Sequence, residues 1–299
     1  MNTVDEIQVW KRKRNAVLLA HNYTLPEVQD IADFVGDSLE LARQAAELRA
    51  PVIVFCGVRF MAETAKILSP ASIVLHPVPD AGCPMADMAD ADAVKAARAA
   101  HRDALVVAYV NTTAATKTAV DVCCTSGNVE QVISSLPRDK EILFLPDANL
   151  GSNVARKLDR PMRLWDGCCP IHDRITPGHL RAAREAHPGA LVLVHPECRP
   201  ETVAEADASL STGGMLQFAR TSPATDFIIG TEIGILHRLR KENPGKRFFP
   251  LSPGPVCADM KKIHLEDVLQ VLRTLSPRIE LDEETLRLAR QPIDRMLAL

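Results

Sequence analysis

A threefold internal repeat governs what this chain can fold into. Three stretches align without a gap: Leu19-Ala20-His21-Asn22-Tyr23 running on to Asp33, Val107-Ala108-Tyr109-Val110-Asn111 to Asp121, and Leu193-Val194-His195-Pro196-Glu197 to Asp207. His21, Tyr109 and His195 lie 88 and then 86 positions apart, as do Tyr23, Asn111 and Glu197, and again Ser38, Ser126 and Thr212. A shared offset at three separate places marks a triplicated unit, and internal repeats decide architecture before local propensity does.

Each copy carries the same order of signals. A β-branched or Leu-rich strand (16–20, 104–108, 190–194) ends in the polar triplet, and an amphipathic helix follows. A Gly/Ser/Thr turn then opens a second helix. Next come an apolar strand (52–55, 142–145, 227–229), a helix (59–68, 149–157, 232–242) and a last strand (72–75, 162–165, 247–249) leading to a cysteine. Strands alternating with helices of this length predict parallel sheets covered on both faces. The expected fold is therefore α/β: three repeated three-layer αβα domains about a pseudo-threefold axis, with the active site at their junction. The boundaries read as 1–83 plus the C-terminal helices 260–299, then 84–170, then 171–259. Two tail helices, 264–275 and 282–297, have no copy elsewhere and are expected to pack back on the first unit.

Bulk properties exclude several classes. The 299 residues are 46% hydrophobic and 24% charged, with a net charge of −3, which is ordinary for a soluble globular chain. A sequence pI near 6.3 gives no basic stripe for nucleic acid. The cluster Lys11-Arg12-Lys13-Arg14 after Trp10 reads as a solvated helix face. With no bilayer-spanning apolar run and no signal-peptide core in residues 1–15, a cytoplasmic protein without a membrane partner is expected. Eight scattered cysteines favour reduced thiols and metal ligation over a disulfide scaffold.

The repeat also sorts those cysteines. Cys83, Cys169 and Cys257 each close one copy, 86 and then 88 positions apart. Equivalent corners can converge, and three thiolates make an incomplete tetrahedral site suited to an iron-sulfur cluster or a metal with one open position. Cys168 adjoins Cys169 and is an alternative ligand. Zinc would want a fourth ligand, for which His172 is available. At the strand ends stand His21 and Tyr23, Tyr109 and Asn111, His195 and Glu197. Histidine, tyrosine and glutamate are the usual proton carriers. Ser38, Ser126 and Thr212 read as helix starts, where free N–H groups favour anions; the plainer role is an N-cap.

Taken together, these blocks resemble quinolinate synthase. The marks include Ala20-His21-Asn22-Tyr23, Gly36-Asp37-Ser38-Leu39, Phe55-Cys56-Gly57-Val58-Arg59-Phe60-Met61-Ala62-Glu63-Thr64 and Ala81-Gly82-Cys83. Tyr109-Val110-Asn111-Thr112, Cys124-Thr125-Ser126-Gly127-Asn128, Pro146-Asp147, the run from Trp165 to His172, His195-Pro196-Glu197-Cys198 and Gly230-Thr231-Glu232 continue the series. The resemblance implies condensation of iminoaspartate with dihydroxyacetone phosphate to quinolinate, with loss of phosphate and water. It implies a [4Fe-4S] cluster on Cys83, Cys169 and Cys257, whose open iron acts as a Lewis acid. Tyr23 and Glu197 are the implied proton carriers, with His21 and His195 assisting or binding carboxylates. Ser38, Ser126 and Thr212 would hold carboxylate and phosphate oxygens, and Tyr109 and Asn111 would lie beside the open iron. Functional coupling to an L-aspartate oxidase or dehydrogenase follows from the same resemblance. Two departures stand out: Gly254 and Leu251 occupy places where some members carry a Cys-x-x-Cys-x-x-Cys run, and Thr24 replaces a common glutamine. The competing readings are a non-catalytic iron-sulfur or zinc sensor and a small-molecule binding module.

Overall fold

The structure is a computed structural model that describes residues 2–251 and 254–299. The first unit runs α1 (Thr3–Arg14), β1 (Ala16–His21), α2 (Pro26–Ile31), β2 (Phe34–Gly36), α3 (Ser38–Glu47), β3 (Val52–Cys56), α4 (Arg59–Leu68) and β4 (Ile73–Leu75). The second runs α5 (Pro84–Asp87), α6 (Ala91–Ala100), β5 (Leu105–Tyr109), α7 (Ala114–Lys117), β6 (Val122–Cys124), α8 (Val129–Ser135), β7 (Ile142–Leu145), α9 (Ala148–Lys157) and β8 (Arg163–Leu164). In the third, α10 (Pro177–Ala186), β9 (Leu191–Val194), α11 (Pro200–Glu205), β10 (Ala208–Ser209), α12 (Thr212–Thr221), β11 (Asp226–Gly230), α13 (Ile235–Glu242) and β12 (Arg247–Pro250) repeat the plan. A 3₁₀ turn (Asp259–Lys261) leads to α14 (Leu265–Thr274) and α15 (Glu283–Leu297).

Among the described residues the strands form three four-stranded parallel sheets with one topology: β2-β1-β3-β4, β6-β5-β7-β8 and β10-β9-β11-β12. Three strands per unit are legible in the sequence; β2, β6 and β10 are additions. They are edge strands of two or three residues, too short to carry an alternating pattern. The expected strand-first order also extends one element upstream, because α6 and α10 precede β5 and β9 as α1 precedes β1.

Period-two alternation explains why both sheet faces are covered. In β3, Ile53 and Phe55 enter the large core shared by all three units, while Val52, Val54 and Cys56 enter a second cluster beneath α1 and α14. In β11, Phe227 and Ile229 face the shared core and Ile228 faces a separate cluster with Leu180 and Val192. Strands buried on both faces read as continuous apolar runs. Full burial of each such side chain contributes about 1.5–3 kcal/mol.

The repeated aspartates fasten the edge strands. Asp33, Asp121 and Asp207 each accept a bond from the first strand of their own unit, at Leu18 N (2.8 Å), Val106 N (2.8 Å) and Val192 N (2.7 Å). Their own N–H groups donate back to the carbonyls of Leu18, Val106 and Val192, each at 2.9 Å. This reciprocal pair sets the entry to β2, β6 and β10. The tail helices divide their packing: α14 lies against α1 and β3 of the first unit, whereas α15 lies against β6 and α7 of the second and α4 of the first. Packing back on the first unit is thus met by α14, and α15 reaches further. Asp207→Ala should lower stability by about 1–3 kcal/mol, the range for a lost bond to a charged acceptor that leaves a strand N–H unpaired, measured as a lower urea midpoint.

Candidate active site

The carboxyl ends of all three sheets open on one cavity of about 320 Å³. Its walls include every residue singled out from the repeat: His21, Tyr23, Ser38, Tyr109, Asn111, Ser126, His195, Glu197, Thr212, Cys83, Cys169 and Cys257. Strand register places the first polar groups, since His21 pairs with Gly36 on β2 and Tyr109 with Cys124 on β6. His195 follows β9 directly and donates its N–H to the Gly230 carbonyl at 3.0 Å.

The helix-start reading divides. Ser38 and Thr212 are the first residues of α3 and α12, but Ser126 lies two residues before Asn128, the N-cap of α8. The capping work falls to their neighbours. Asp37 accepts from Leu39 N and Glu40 N, both at 3.0 Å, and from Gly213 N across the unit boundary at 3.1 Å. Ser211 accepts from Gly214 N at 3.1 Å. A Cβ on Gly213 would stand 2.7 Å from the Asp37 carboxylate, so glycine there permits the approach. With the caps supplied by other side chains, the Ser38 and Thr212 hydroxyls are left to face the cavity.

A continuous hydrogen-bonded chain crosses the site. The Tyr109 hydroxyl donates to Glu197 Oε1. Glu197 Oε2 lies 2.6 Å from His172 Nδ1, and His172 Nε2 lies 2.7 Å from Thr231 Oγ1. Thr231 Oγ1 meets the Tyr23 hydroxyl at 2.6 Å, and that hydroxyl meets Thr212 Oγ1 at 2.8 Å. An acceptor carboxylate at Glu197 orders the chain: His172 donates from Nδ1 and accepts at Nε2 from Thr231, which accepts from Tyr23. His172 also stacks on His195, with centroids 4.5 Å apart.

Burial tunes these groups. It pushes the Tyr23 and Tyr109 hydroxyls well above the ordinary tyrosine value, and the Glu197 charge adds to this at both. For Glu197 itself burial opposes ionisation, but His195, His172 and the Tyr109 hydroxyl more than offset it and hold the carboxyl below its usual range. Burial also lowers His21 and His195 to about 3. In each histidine Nδ1 accepts a backbone N–H two residues on, from Tyr23 at 3.2 Å and from Glu197 at 3.3 Å. The neutral rings therefore carry their proton on Nε2.

The thiols sit on loops held by carboxylates. Asp147 caps α9 through Leu150 N at 2.8 Å and accepts Cys169 N at 3.1 Å. Glu232 accepts Cys257 N at 3.2 Å and Gly234 N at 2.7 Å, and pairs with Lys261 at 2.9 Å. Asp259 accepts Gly82 N, beside Cys83, at 3.3 Å. Cys169 lines the cavity and Cys168 does not; the Cys168 N–H instead points at Met88 Sδ, 3.5 Å away. Burial raises Cys83 to about 12, Cys169 well above its ordinary value, and Cys257 in the same direction. Burial of this kind keeps an unligated thiol protonated, and a metal would bind these sulfurs as thiolates with release of those protons. Asn111 Oδ1, buried and without a partner among the described residues, lines the same cavity. This donor set fits a thiophilic metal centre. Cys169, His172 and Glu197 also lie with ligand atoms within 4.8 Å of one another, and His172 holds hydrogen-bond partners at both ring nitrogens.

Sequence reasoning weighed His172 only as a zinc ligand and missed its place at the centre of the chain, along with Thr231 and Lys261. The signal was present in the three-residue spacing from Cys169 to His172.

Thiols and proton carriers gathered in one cavity, with Cys169 Sγ 3.2 Å from His172 Nδ1, define a three-unit α/β enzyme. Among known proteins, the family model described as quinolinate synthetase A protein matches residues 5–298, and the chain belongs to that family. A quinolinate synthase of Methanoregula boonei is 55% identical over 295 residues, 99% of this chain and 97% of the relative. One from Desulforudis audaxviator is 53% identical over 296 residues (99% and 98%), and one from Thermus thermophilus 50% over 297 residues (98% and 96%). A non-catalytic sensor is not supported by relatives of this kind.

The buried histidines make stability depend on acid. Unfolded histidine takes up a proton near 6.5 while the native rings stay neutral to about 3, so their contribution is whole above pH 6.5 and is lost as pH falls through that window. At pH 5 about 1–2 kcal/mol should be lost for each ring relative to pH 7, seen as a lower urea midpoint. His195→Asn should shrink that difference.

Proposed function

We propose that this chain is a quinolinate synthase that condenses iminoaspartate with dihydroxyacetone phosphate, releasing phosphate and water. The observation that carries the reading is the hydrogen-bonded chain from Tyr109 through Glu197, His172 and Thr231 to Tyr23 and Thr212, facing a cavity that three repeat-equivalent cysteines line. Cys83, Cys169 and Cys257 would hold a [4Fe-4S] cluster. When bound, it supplies an open iron, a Lewis acid for a substrate hydroxyl that leaves as water.

The protein's own groups account for binding and proton movement. Neutral His21 and His195 present Nε2–H donors to substrate carboxylates. Ser38, Ser126 and Thr212 offer hydroxyls to carboxylate and phosphate oxygens, and Tyr109 and Asn111 orient the reactants beside the thiols. Glu197, held ionised, takes a proton from carbon during isomerisation. Tyr23, hydrogen-bonded to the same chain through Thr231 and His172, supplies its own hydroxyl proton at dehydration. Burial keeps bulk water from competing with these bonds.

The same reading takes 1–83 with 260–299, 84–170 and 171–259 as the three units, and a cytoplasmic setting. Among the described residues no helix is long and apolar enough to cross a membrane. Imines hydrolyse in water, so functional coupling to an L-aspartate oxidase or dehydrogenase is part of the proposal. Anaerobically prepared protein should show broad brown absorbance and form quinolinate from the two substrates. Cys169→Ala should lose both, while Glu197→Gln should keep the colour and lose about a hundredfold or more in kcat. Full activity without iron would refute the mechanism.

A further inference from the structure

Tyr23, Asn111 and Glu197 occupy matched places after the first strand of their units, and a single side-chain nitrogen bonds both carbonyls that flank each one. Gln29 Nε2 donates to the carbonyls of Asn22 (3.0 Å) and Thr24 (2.9 Å). Lys117 Nζ donates to those of Val110 (2.8 Å) and Thr112. Asn153 Nδ2 donates to those of Pro196 (2.9 Å) and Cys198 (2.8 Å).

Gln29 and Lys117 stand 88 positions apart, the offset of the repeat, so they are the same residue of two copies. The matching place in the third copy, 86 positions after Lys117, holds Val203, whose side chain has no donor. There the bond comes instead from α9 of the second unit. An amide, an ammonium and an amide from a different helix thus make one contact. Retention of a contact while its supplier changes points to a requirement at the contact itself.

The physical effect is local. Two carbonyls drawn to one nitrogen fix the peptide planes on either side of the residue between them, and so fix the direction of its Cα–Cβ bond. We propose that Gln29, Lys117 and Asn153 are positioning residues that aim Tyr23, Asn111 and Glu197 into the cavity. The inference rests on the site assignments above. Turning the Gln29 amide over would set its oxygen against three carbonyls, since Nε2 also meets the Gly234 carbonyl at 3.1 Å. That third bond ties the first unit to the third, and Asn153 ties the second to the third. The Asn153 clamp therefore closes only when the units are docked, while the Gln29 clamp closes within its own unit and gains its third bond on docking. Lys117 is fully buried and forms no carboxylate ion pair among the described residues; its Nζ bonds the two carbonyls and lies 5.6 Å from the face of Phe60, with Cys123, Glu63 and Cys83 near enough to act on its charge.

Asn153→Ala tests this directly, because alanine suits a helix interior. In the cluster-loaded enzyme kcat should fall about tenfold to a hundredfold, with KM for both substrates within about threefold of the parent and an unchanged circular dichroism spectrum. Gln29→Met should behave alike, while Gln29→Lys, which places the second unit's donor in the first, should recover most of the rate. Parental kcat in Asn153→Ala, or a folded Gln29→Lys enzyme as slow as Gln29→Met, overturns the proposal; should Asn153→Ala not fold, the Gln29 pair decides. A Glu197→Gln enzyme at the parental rate would instead overturn the site assignment.

Discussion

A polar centre withdrawn from water is the constraint on which this molecule depends. Glu197, His172, His195, His21, Tyr23 and Tyr109 are all nearly inaccessible to solvent. Each would cost several kcal/mol if its bonds were left unmade. Three sheets surround the cavity and the outer helices exclude water, while the hydrogen bonds inside run both within units, as from His172 to Thr231, and between them, as from Tyr109 to Glu197 and Tyr23 to Thr212. The apolar core and the polar site are consequently not independent. Displacing one unit by an ångström would leave several buried acceptors without donors.

Much of this was legible in the residues. Equal offsets at His21, Tyr23 and Ser38 and their copies revealed the triplication, and with it the place of the site at the strand ends. Apolar runs such as Val52–Cys56 and Ile142–Leu145 announced central parallel strands because both of their faces are buried. The edge strands stayed hidden because two or three residues cannot express a period, and their pairing is set by an aspartate hook that no pattern of hydrophobicity records. His172 was visible as a residue near a cysteine, but not as the link between Glu197 and Thr231. That link depends on how the loop after Cys169 folds over the ends of β9 and β11.

Ser38, Ser126 and Thr212 show the same limit in finer detail. Position in the repeat marked them as alike, yet local chain geometry separates Ser126 from the other two, because α8 starts at Asn128. Gln29 and Lys117 could have been paired by number alone. Asn153 could not, since it reaches Glu197's peptide from a helix outside the matched segment. Divergent copies keep a geometry by whatever side chain arrives first, and only coordinates reveal the substitution of one supplier for another.

The reach of α15 has a consequence for biosynthesis. Arg295 bonds the Asp121 carbonyl at 2.6 Å and Asn128 donates to the Met296 carbonyl at 3.2 Å, so a helix beginning at Glu283 covers a flank of β6, which ends at Cys124. On the ribosome the middle unit emerges long before its cover is translated. Until then β6 and α7 present an uncovered apolar flank, and a nascent chain of this design is exposed to association with its neighbours for most of its own synthesis.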